Sequence, residues 1–497
     1  MKNQIFNAIL VACLIVMSTG CGDEVLTPEL KGQLSQDNLF TNEQGFLLAL
    51  NGAYEPLNSI YDLGGLVQPL AKASDDGWTW RRETEEQLYS YTPTKSEATS
   101  WWDNHYTGIS RCNKILSELG SSEVITGETE NLIEGQVKFL RALYYFNLVR
   151  LYGGVPLIVD DVVLREDAEQ PRASIEDVYD RIKTDLSEAI NLLPESYSGS
   201  DSFEAGMATL GAAKTLMASI HLELGEWSDA ASLAQEVIDS GVYSLHDDYE
   251  NNFYGNAENG SESIFEAQFS SASGALGANW NFLKPEALGG GSGTLPTDVN
   301  NDFGNSTTSD DALVQAFENG DERFDVTLDS YGLPNFLDPS KPDGSMYHFN
   351  KYYDGGAFQP GQSPYNFPVY RYSEVLLIAA EALNELGAGN TDAEDYVNRV
   401  RNRAGLDDLE SSVSGDQDAM RTAIRQERRV EFAFENKRYF DLNRWAILEE
   451  QIAKTGVTIE SEKFISHPIT GQPYHLYPLP STEFINNANL GEQNPGY

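Results

Sequence analysis

The chain has 497 residues, and its 77 Asp and Glu against 33 Lys and Arg give a formal net charge of −44. Hydrophobic residues make up 40% of the sequence and aromatic residues 11%, which is enough for a large folded core and excludes a disordered acidic tail. The charge argues against a nucleic-acid partner, because such a protein must bring Lys and Arg next to phosphates. It also disfavours unspecific adsorption to anionic lipid.

The first twenty residues have the features of an export signal. Lys2 precedes an apolar run, 5–17, that is too short to span a bilayer stably. Small residues then lead to Cys21, as at the cleavage site of a bacterial lipoprotein, although Ser18 stands where Leu is more usual. We predict that 1–20 is a lipoprotein signal peptide and that acylated Cys21 anchors the mature chain to a membrane. The alternative is an ordinary secretory signal with an incidental cysteine.

Removal of 1–20 changes both the net charge and the number of free cysteines of the chain. The loss of Lys2 makes the net charge of the mature chain −45, since 1–20 contains no acidic residue. Cys13 is lost with the signal and Cys21 is acylated, so Cys112 remains alone. We therefore expect no intramolecular disulfide, and a core of this size can supply stability without one.

Several segments have the periodicity of amphipathic helices. A capping-box pattern at 41–44 precedes the first, whose apolar residues continue at helical spacing to Leu57. A second runs over 132–152 and ends at a pair of glycines. A third covers 174–193 and is closed by a proline.

Two later segments share a helix–turn–helix plan. The stretch 213–238 is predicted to form two helices around Leu224-Gly225, and 375–400 two helices around Leu386-Gly387. Small residues at the turn and alternating Ala and Leu are typical of tetratricopeptide-like helix pairs. Because the two copies lie far apart in the sequence, the pattern argues against a regular solenoid.

Between these pairs, the region 240–370 is rich in Gly, Asn, Ser and Tyr and has few helical stripes. The stretch 263–271 alternates like a strand, and 289–293 is predicted to be a loop. The sequence as a whole predicts a mainly α fold, in which a helical scaffold carries long irregular insertions with a few short strands. Function tends to lie in such loops.

Patterns typical of enzymes and metal sites are weak. The six histidines are scattered without a pair at metal-ligand spacing, and there is no phosphate-binding GxxxxGK[ST] motif. The run 298–302 begins like a calcium loop, but Gly304 comes one position late and no Glu closes the loop. We predict no metal, no cofactor and no catalytic residues, and hence a protein that is not an enzyme.

Four stretches, in order along the chain, resemble the SusD/RagB family, the surface lipoproteins of Bacteroidetes that capture nutrients for a TonB-dependent transporter. The stretches are WDNHYTGISRCN from Trp102, FLRALYYFNLVRLYGGVPL from Phe139, IRQERRVEFAFENKRYFDLNRW from Ile424 together with a helix VYRYSEVLLIAAEAL that begins at Val369, and the C-terminal LYPLPSTEFINNANLGEQNPGY. The resemblance covers essentially the whole chain.

The resemblance implies a SusD-like fold in which four tetratricopeptide-like helix pairs form the side that packs on a SusC-like TonB-dependent transporter. It implies a surface-exposed lipoprotein of the outer membrane that acts as a lid, collecting ligand when open and delivering it when closed. We expect one SusD-like domain over 21–497. Within it, 21–240 is the N-terminal helical part, 241–368 the ligand-facing insertions and 369–497 the C-terminal helical part.

Several residues of these motifs are interpreted as structural. Arg428 and Glu431 lie three positions apart on a predicted helix, which suits an ion pair of the scaffold better than catalysis. The aromatic residues of the second stretch are expected to lie in the core, and Trp102 and Tyr106 are assigned to packing.

Trp78 and Trp80 differ from these, because they lie in a polar segment outside any apolar helix stripe. In an extended chain both side chains point the same way, roughly 6.5–7 Å apart. Two indoles on one face could form a platform for the apolar faces of sugar rings, and neighbouring Asp76 and Arg81 could bind hydroxyls. Members of the family commonly place ligand-binding aromatics in this early loop and in a later insertion, which makes Trp280 the second candidate. The alternative is that these tryptophans only cover the surface.

The expected ligand is a poly- or oligosaccharide. The net charge makes polyanionic glycans less attractive, so a neutral β-glucan such as laminarin is the leading prediction. Three alternatives stay open: an oligopeptide receptor of the RagB type, a helical glycoside hydrolase, and a lid with little ligand affinity of its own.

Overall fold

A computed structural model describes residues 39–79, 85–197, 203, 205–254, 257–270, 303–304, 313–329, 348–352, 365–387 and 389–497. Cys21, Trp80, Arg81 and Trp280 lie outside these residues. Within the part of the chain that is described, no helix is both long enough and apolar enough to cross a membrane.

The fold is mainly α, as predicted. The N-terminal half contains helices α1 to α10 and two strands: α1 Glu43–Tyr54, α2 Pro56–Tyr61, a π-helical turn Leu63–Val67, α3 Gln68–Lys72, β1 Trp78–Thr79, α4 Glu85–Leu88, α5 Ser96–Ser121, α6 Glu128–Tyr152, α7 Arg165–Ala168, α8 Ile175–Leu192, α9 Leu210–Glu223, α10 Trp227–Asp239, a 3₁₀ turn Tyr249–Asn252 and β2 Ser263–Ala267.

The remaining elements follow in chain order: β3 Phe303–Gly304, α11 Leu313–Ala316, α12 Arg323–Thr327, β4 Leu328–Asp329, β5 His348–Phe349, β6 Phe367–Arg371, α13 Tyr372–Leu386, α14 Thr391–Arg403, α15 Ser411–Ser414, α16 Gln417–Glu431, α17 Arg438–Arg444, α18 Leu448–Lys454, a 3₁₀ turn Ser461–Lys463, β7 Phe464–Ser466, β8 Pro473–His475 and α19 Glu483–Asn486.

The predicted helices form close to the predicted positions, because their caps are encoded locally. Helix α1 begins after Asn42, whose side chain accepts a hydrogen bond from the backbone N–H of Gly45. Helix α8 begins after Ser174, which caps the N–H of Asp177 in the same way. Helix α6 ends at Gly153, where φ is +72°.

The scaffold is one continuous stack of helices. Helices α5, α6, α8, α9, α10, α13, α14 and α16 follow one another, each packed against the next. The two predicted helix pairs are α9–α10 and α13–α14, and α10 packs directly on α13. The distance between the pairs in the sequence was therefore misleading, because the chain between them leaves the stack and returns to it.

The point of departure and return is a two-stranded antiparallel sheet. Strand β2 confirms a strand within 263–271, but it covers only Ser263–Ala267, and its burial does not alternate because the four residues after Ser263 are all buried. It pairs with β6 so that Ser263 faces Arg371 and Ala267 faces Phe367. The prediction of a helix from Val369 was wrong in its first three residues. Val369 to Arg371 belong to β6, all of whose residues are buried, and α13 begins at Tyr372.

The core holds the aromatic residues of the second family stretch. Tyr144, Tyr145 and Tyr152 are fully buried, and their hydroxyls donate to backbone carbonyls of neighbouring segments. One cluster of buried hydrophobic residues extends from Phe46 to Leu490. Cys112 lies in it as a free thiol, and burial raises its pKa to about 12.

Helices α5 and α6 approach closely at Gly108. A Cβ atom at this position would overlap the buried ring of Tyr144. We expect Gly108→Ala to lower the free energy of unfolding by about 1–3 kcal/mol, measured by urea denaturation. Gly120→Ala on the same helix is the control, because nothing lies within 4 Å of its new Cβ. The control should raise stability by about 0.5–1 kcal/mol. Equal effects of both substitutions would contradict the close packing.

Candidate ligand-binding site

The segment that carries β1 leaves α3 through a tight turn. The backbone N–H of Gly77 donates to the carbonyl of Ala71 at 3.1 Å. The hydroxyl of Ser74 donates to the same carbonyl at 2.8 Å and accepts from the N–H of Asp76 at 3.2 Å. These bonds fix the direction in which the chain enters β1.

Two aspartates fasten this turn to the C-terminal helices. The carboxylate of Asp75 accepts two hydrogen bonds from Arg438 on α17, both at 2.7 Å. Arg429 on α16 bonds the carboxylate of Asp76 at 3.0 Å and the backbone carbonyl of Asp75 at 3.1 Å. Both aspartates and both arginines are largely inaccessible to solvent. Bidentate pairs of this kind fix orientation as well as supplying energy.

The two aspartates differ in their electrostatic balance. Burial disfavours the charged form of Asp75, but the positive charges of Arg438 and Arg429 outweigh it and hold the pKa of Asp75 below its usual range. For Asp76, burial outweighs the attraction of Arg429, and the negative charge of Asp75 adds to it, so the pKa of Asp76 is raised. Asp75 is therefore the firmer of the two anchors.

Strand β1 joins a small sheet that brings the early segment to the insertion. The order of this four-stranded sheet is β1-β3-β5-β4, with Trp78 opposite Gly304 and Gly304 opposite His348. Three of its strands come from the region between β2 and β6. The early loop and the insertion, which the sequence places more than two hundred residues apart, are thus hydrogen-bonded to each other through the backbone.

The insertion is fastened to the same helix as the early loop. Arg323 on α12 is fully buried, pairs with Asp321, and reaches Glu427 at 2.5 Å and Glu431 at 3.0 Å on α16. Lys351, which follows β5, donates at 2.8 Å to Glu435 just beyond α16. Burial lowers the pKa of Lys351 to about 8.

Glu431 is at the centre of this anchoring network, which we define as Glu262, Asp321, Arg323, Lys351, Arg371, Arg403, Glu427, Glu431 and Glu435. Its carboxylate pairs with three arginines, Arg323, Arg371 and Arg403, from three different elements. Burial opposes its charge, but the three arginines together hold the pKa of Glu431 well below its usual range. The network joins β6, α14 and the insertion to α16.

These contacts confirm that the charged motif on α16 is structural, but they correct the predicted pair. Arg428 pairs with Asp441 at 2.9 Å, and Glu431 pairs with the arginines of the anchoring network instead of with Arg428. Helical spacing predicts contacts along one helix, whereas these side chains find partners on other elements. The roles of Arg323 and Lys351 were missed, because nothing in their local sequence distinguishes them from surface cations.

Of the predicted ligand-binding residues, the structure describes two. Trp78 lies in β1, so the extended backbone that a tryptophan platform needs is present at its first residue. Asp76 is 1% exposed and pairs with Arg429, and its second carboxylate oxygen has no hydrogen-bond partner within the described part. This places Asp76 in the support of the loop. The ligand contacts predicted for Trp78, Trp80, Arg81, Asp76 and Trp280 stay predictions.

Among the residues that the structure describes, one cluster with metal-ligand chemistry lies on the helix pair α9–α10. His221, Glu226 and Asp229 bring ligand atoms within 4.8 Å of one another. The spacing of the histidines does not reveal this cluster, because its other donors are carboxylates. Lys183 already donates to both oxygens of Glu226, at 2.8 and 2.6 Å, and compensates its charge. The cluster is therefore adequately explained as an ion-paired contact between α8 and α10.

Comparison with known proteins identifies the family. The family described as "SusD family" matches residues 238–497, and the one described as "Starch-binding associating with outer membrane" matches 66–222. The chain belongs to the SusD family, a class of proteins whose matching description places them at the outer membrane.

Relatives and solved structures agree with this assignment. SusD-like protein P2 of Formosa agariphila is 29% identical over 97% of this chain and 98% of its own length. A SusD superfamily protein of Parabacteroides distasonis is 26% identical, with a TM-score of 0.74 over 94% of this chain and all of that one. A structure described as "Laminarin binding SusD-like protein" is also 26% identical, with a TM-score of 0.72 over 92% of this chain and all of that one.

Proposed function

We propose that this protein is a cell-surface glycan-binding lipoprotein that captures poly- or oligosaccharides and delivers them to a SusC-like TonB-dependent transporter. Cys21, after removal of 1–20, would carry the lipid anchor to the outer membrane. The chain from 21 to 497 would act as one domain, with 241–368 facing the ligand. Family membership supports the binding role, and it is a role that needs no bond-breaking chemistry.

The observation that carries the proposal is the backbone pairing of β1 with β3. It joins the tryptophan-bearing early loop to the insertion, and both are fastened by buried ion pairs to α16. A binding surface held in this way loses little conformational entropy when a ligand binds. In the proposal, Trp78 and Trp80 stack on sugar rings, Arg81 binds hydroxyls, Asp76 supports the loop from its buried position, and Trp280 completes the surface.

A neutral β-glucan such as laminarin is the proposed ligand. The net charge of −45 on the mature chain repels polyanions over the distances at which a glycan first meets the protein. The similar protein described as laminarin-binding supports the same choice. Laminarin is uncharged, so it meets no such repulsion.

The tryptophan platform is tested by substitution. We expect Trp78→Ala with Trp80→Ala to weaken laminarin binding at least tenfold, because each indole contributes on the order of 1 kcal/mol or more of contact with the ligand. Affinity gel electrophoresis with laminarin in the gel measures the effect. Trp78→Phe with Trp80→Phe is the matched control and should keep most of the retardation.

Three further results would count against this proposal. Unchanged retardation of the double alanine variant, with an unchanged circular dichroism spectrum, would remove the platform from the site. New reducing ends after prolonged incubation with laminarin would favour the alternative of a helical glycoside hydrolase. Retardation by oligopeptide-bearing gels alone would favour the RagB-type receptor.

A further inference from the structure

A second concave surface lies on helix α5. A cavity of about 820 Å³ opens between α5, the segment 156–169 and α19. Its volume is in the range of cavities that hold oligomeric or drug-sized ligands. Within the described residues, it shares no lining residue with β1 or with the anchoring network.

One wall of this cavity is aromatic. The rings of Trp102 and Tyr106 lie side by side on α5, with centroids 4.8 Å apart. The hydroxyl of Tyr106 is used, since it donates to the carbonyl of Pro156 at 2.7 Å. The indole N–H of Trp102 has no hydrogen-bond acceptor among the described residues, although only 3% of the residue is exposed. The N–H itself is not fully buried, so it stays open to the cavity that Trp102 lines.

A polar row runs beside the aromatic wall. Asp103, Thr107 and Ser110 are exposed along successive turns of α5 and line the same cavity. Their side-chain oxygens contact no other described residue by a hydrogen bond or ion pair. Partial burial against the cavity raises the pKa of Asp103. The row thus offers hydroxyl groups and a carboxylate that are not consumed by the fold.

The opposite wall is held in place by its own contacts. Arg165 pairs with Glu169 at 2.6 Å and donates to the backbone carbonyl of Asn486 at 3.0 Å, which ties α7 to α19. Glu169 and Glu483 add negative charge to the rim. With Asp103, three acidic residues line the cavity against the two basic residues Arg111 and Arg165, so the lining attracts no anionic ligand by net charge.

We infer that this cavity is a second saccharide-binding site, which takes a short stretch of a neutral glycan. Sugar rings present an apolar face, which fits the half-buried Tyr106, Ile158 and Val162 of the cavity, and a rim of hydroxyls, which fits the polar row. A sugar oxygen supplies the acceptor that the indole N–H lacks. The inference rests on the proposed function for the class of ligand, but it uses none of the residues of the first site. A second site on one chain would strengthen the retention of a polymer by linking two weak contacts.

Isothermal titration with laminarihexaose tests the second site. We expect two binding events on the wild-type protein, and one on the variant Trp78→Ala with Trp80→Ala. Adding Ser110→Trp to that variant should fill the cavity and lower the remaining affinity at least tenfold. Ser117→Trp, at an exposed position of α5 outside the cavity lining, is the control for the bulk of the new side chain and should leave the remaining affinity unchanged.

The outcomes separate the two sites. If the Trp78→Ala, Trp80→Ala variant binds nothing while the wild type shows one event, the cavity site is wrong and the proposed function stands. If Ser110→Trp alone abolishes all binding, the cavity is the site and the platform is wrong. If Ser110→Trp and Ser117→Trp act alike, the remaining event lies elsewhere and the inference is wrong. If the wild-type protein binds no saccharide, both proposals are wrong.

Discussion

Replacing Glu431 by Ala is expected to lower the free energy of unfolding by about 3–5 kcal/mol, the cost of breaking a buried ion pair by removing one partner. Glu431 is fully buried, and its carboxylate is shared by Arg323, Arg371 and Arg403. Without the carboxylate of Glu431, three desolvated guanidinium groups lie close together with less negative charge to balance them. Because these arginines belong to the insertion, to β6 and to α14, we expect the whole domain to lose stability.

Urea denaturation followed by circular dichroism measures this effect. Glu449→Ala is the matched control, since Glu449 is an exposed residue in the first turn of α18. Its loss should cost about 0.3–1 kcal/mol, the usual contribution of an acidic side chain near a helix N-terminus. A Glu431→Ala variant as stable as this control would contradict the central position of Glu431 in the anchoring network.

Acidification should destabilise the protein through His475, by roughly 3 kcal/mol between pH 7 and pH 4. His475 is fully buried in β8, and its ring lies against Tyr89, Tyr439 and Tyr477. Burial, and next the positive charge of Lys463, lower its pKa to about 3. In the unfolded chain a histidine has a pKa near 6.5, so the unfolded state binds the proton first. The stabilising contribution is complete above about pH 6.5 and is lost as the pH falls towards 3.

Buried carboxyl groups with raised pKa values, such as Glu223, stabilise the folded state as the pH falls, which opposes the effect of His475. The stability of His475→Gln is therefore compared with that of the wild type at each pH. As the pH falls, the His475→Gln variant should lose less of its free energy of unfolding than the wild type. The difference between the two should be about 1.4 kcal/mol for each pH unit between pH 6 and pH 4. Tyr439→Phe removes the hydrogen bond between the Tyr439 hydroxyl and His475 Nδ1 but keeps the imidazole, so it should follow the wild-type slope. Parallel curves for His475→Gln and the wild type would contradict the prediction.

The helical scaffold could be predicted from the sequence because the caps, apolar stripes and turns that define each helix lie within its own segment. A helix such as α8 carries its own cap at Ser174 and its own apolar stripe, and α9–α10 carries its turn at Leu224-Gly225. The start of α13 could not be predicted in this way. Val369 to Arg371 fit a helix as well as a strand, and only the pairing of Arg371 with Ser263 in β2, over one hundred residues earlier, decides between them.

The candidate site could be predicted only in outline. That Trp78 lies outside any apolar helix follows from its polar, glycine-containing surroundings, whereas its extended backbone and its pairing with β3 depend on residues far away in the sequence. The anchors could not be predicted, because they are single charges that meet across the chain. Asp75 binds Arg438, and Arg323 binds Glu431. Arg438 and Glu431 lie in the third family stretch, but nothing in the local sequence of Asp75 or Arg323 marks these two residues as the partners. In a sequence with 77 acidic residues, the sequence alone does not show which carboxylates form buried ion pairs.

The most direct test of the proposed function is affinity gel electrophoresis of the lipid-free protein from residue 22 onwards against a panel of laminarin, alginate and pectin. We expect strong retardation by neutral laminarin and little by the two anionic glycans, since the chain is highly acidic. Retardation by alginate or pectin with none by laminarin would contradict the proposed ligand. Unretarded migration through all of these gels would contradict glycan capture itself.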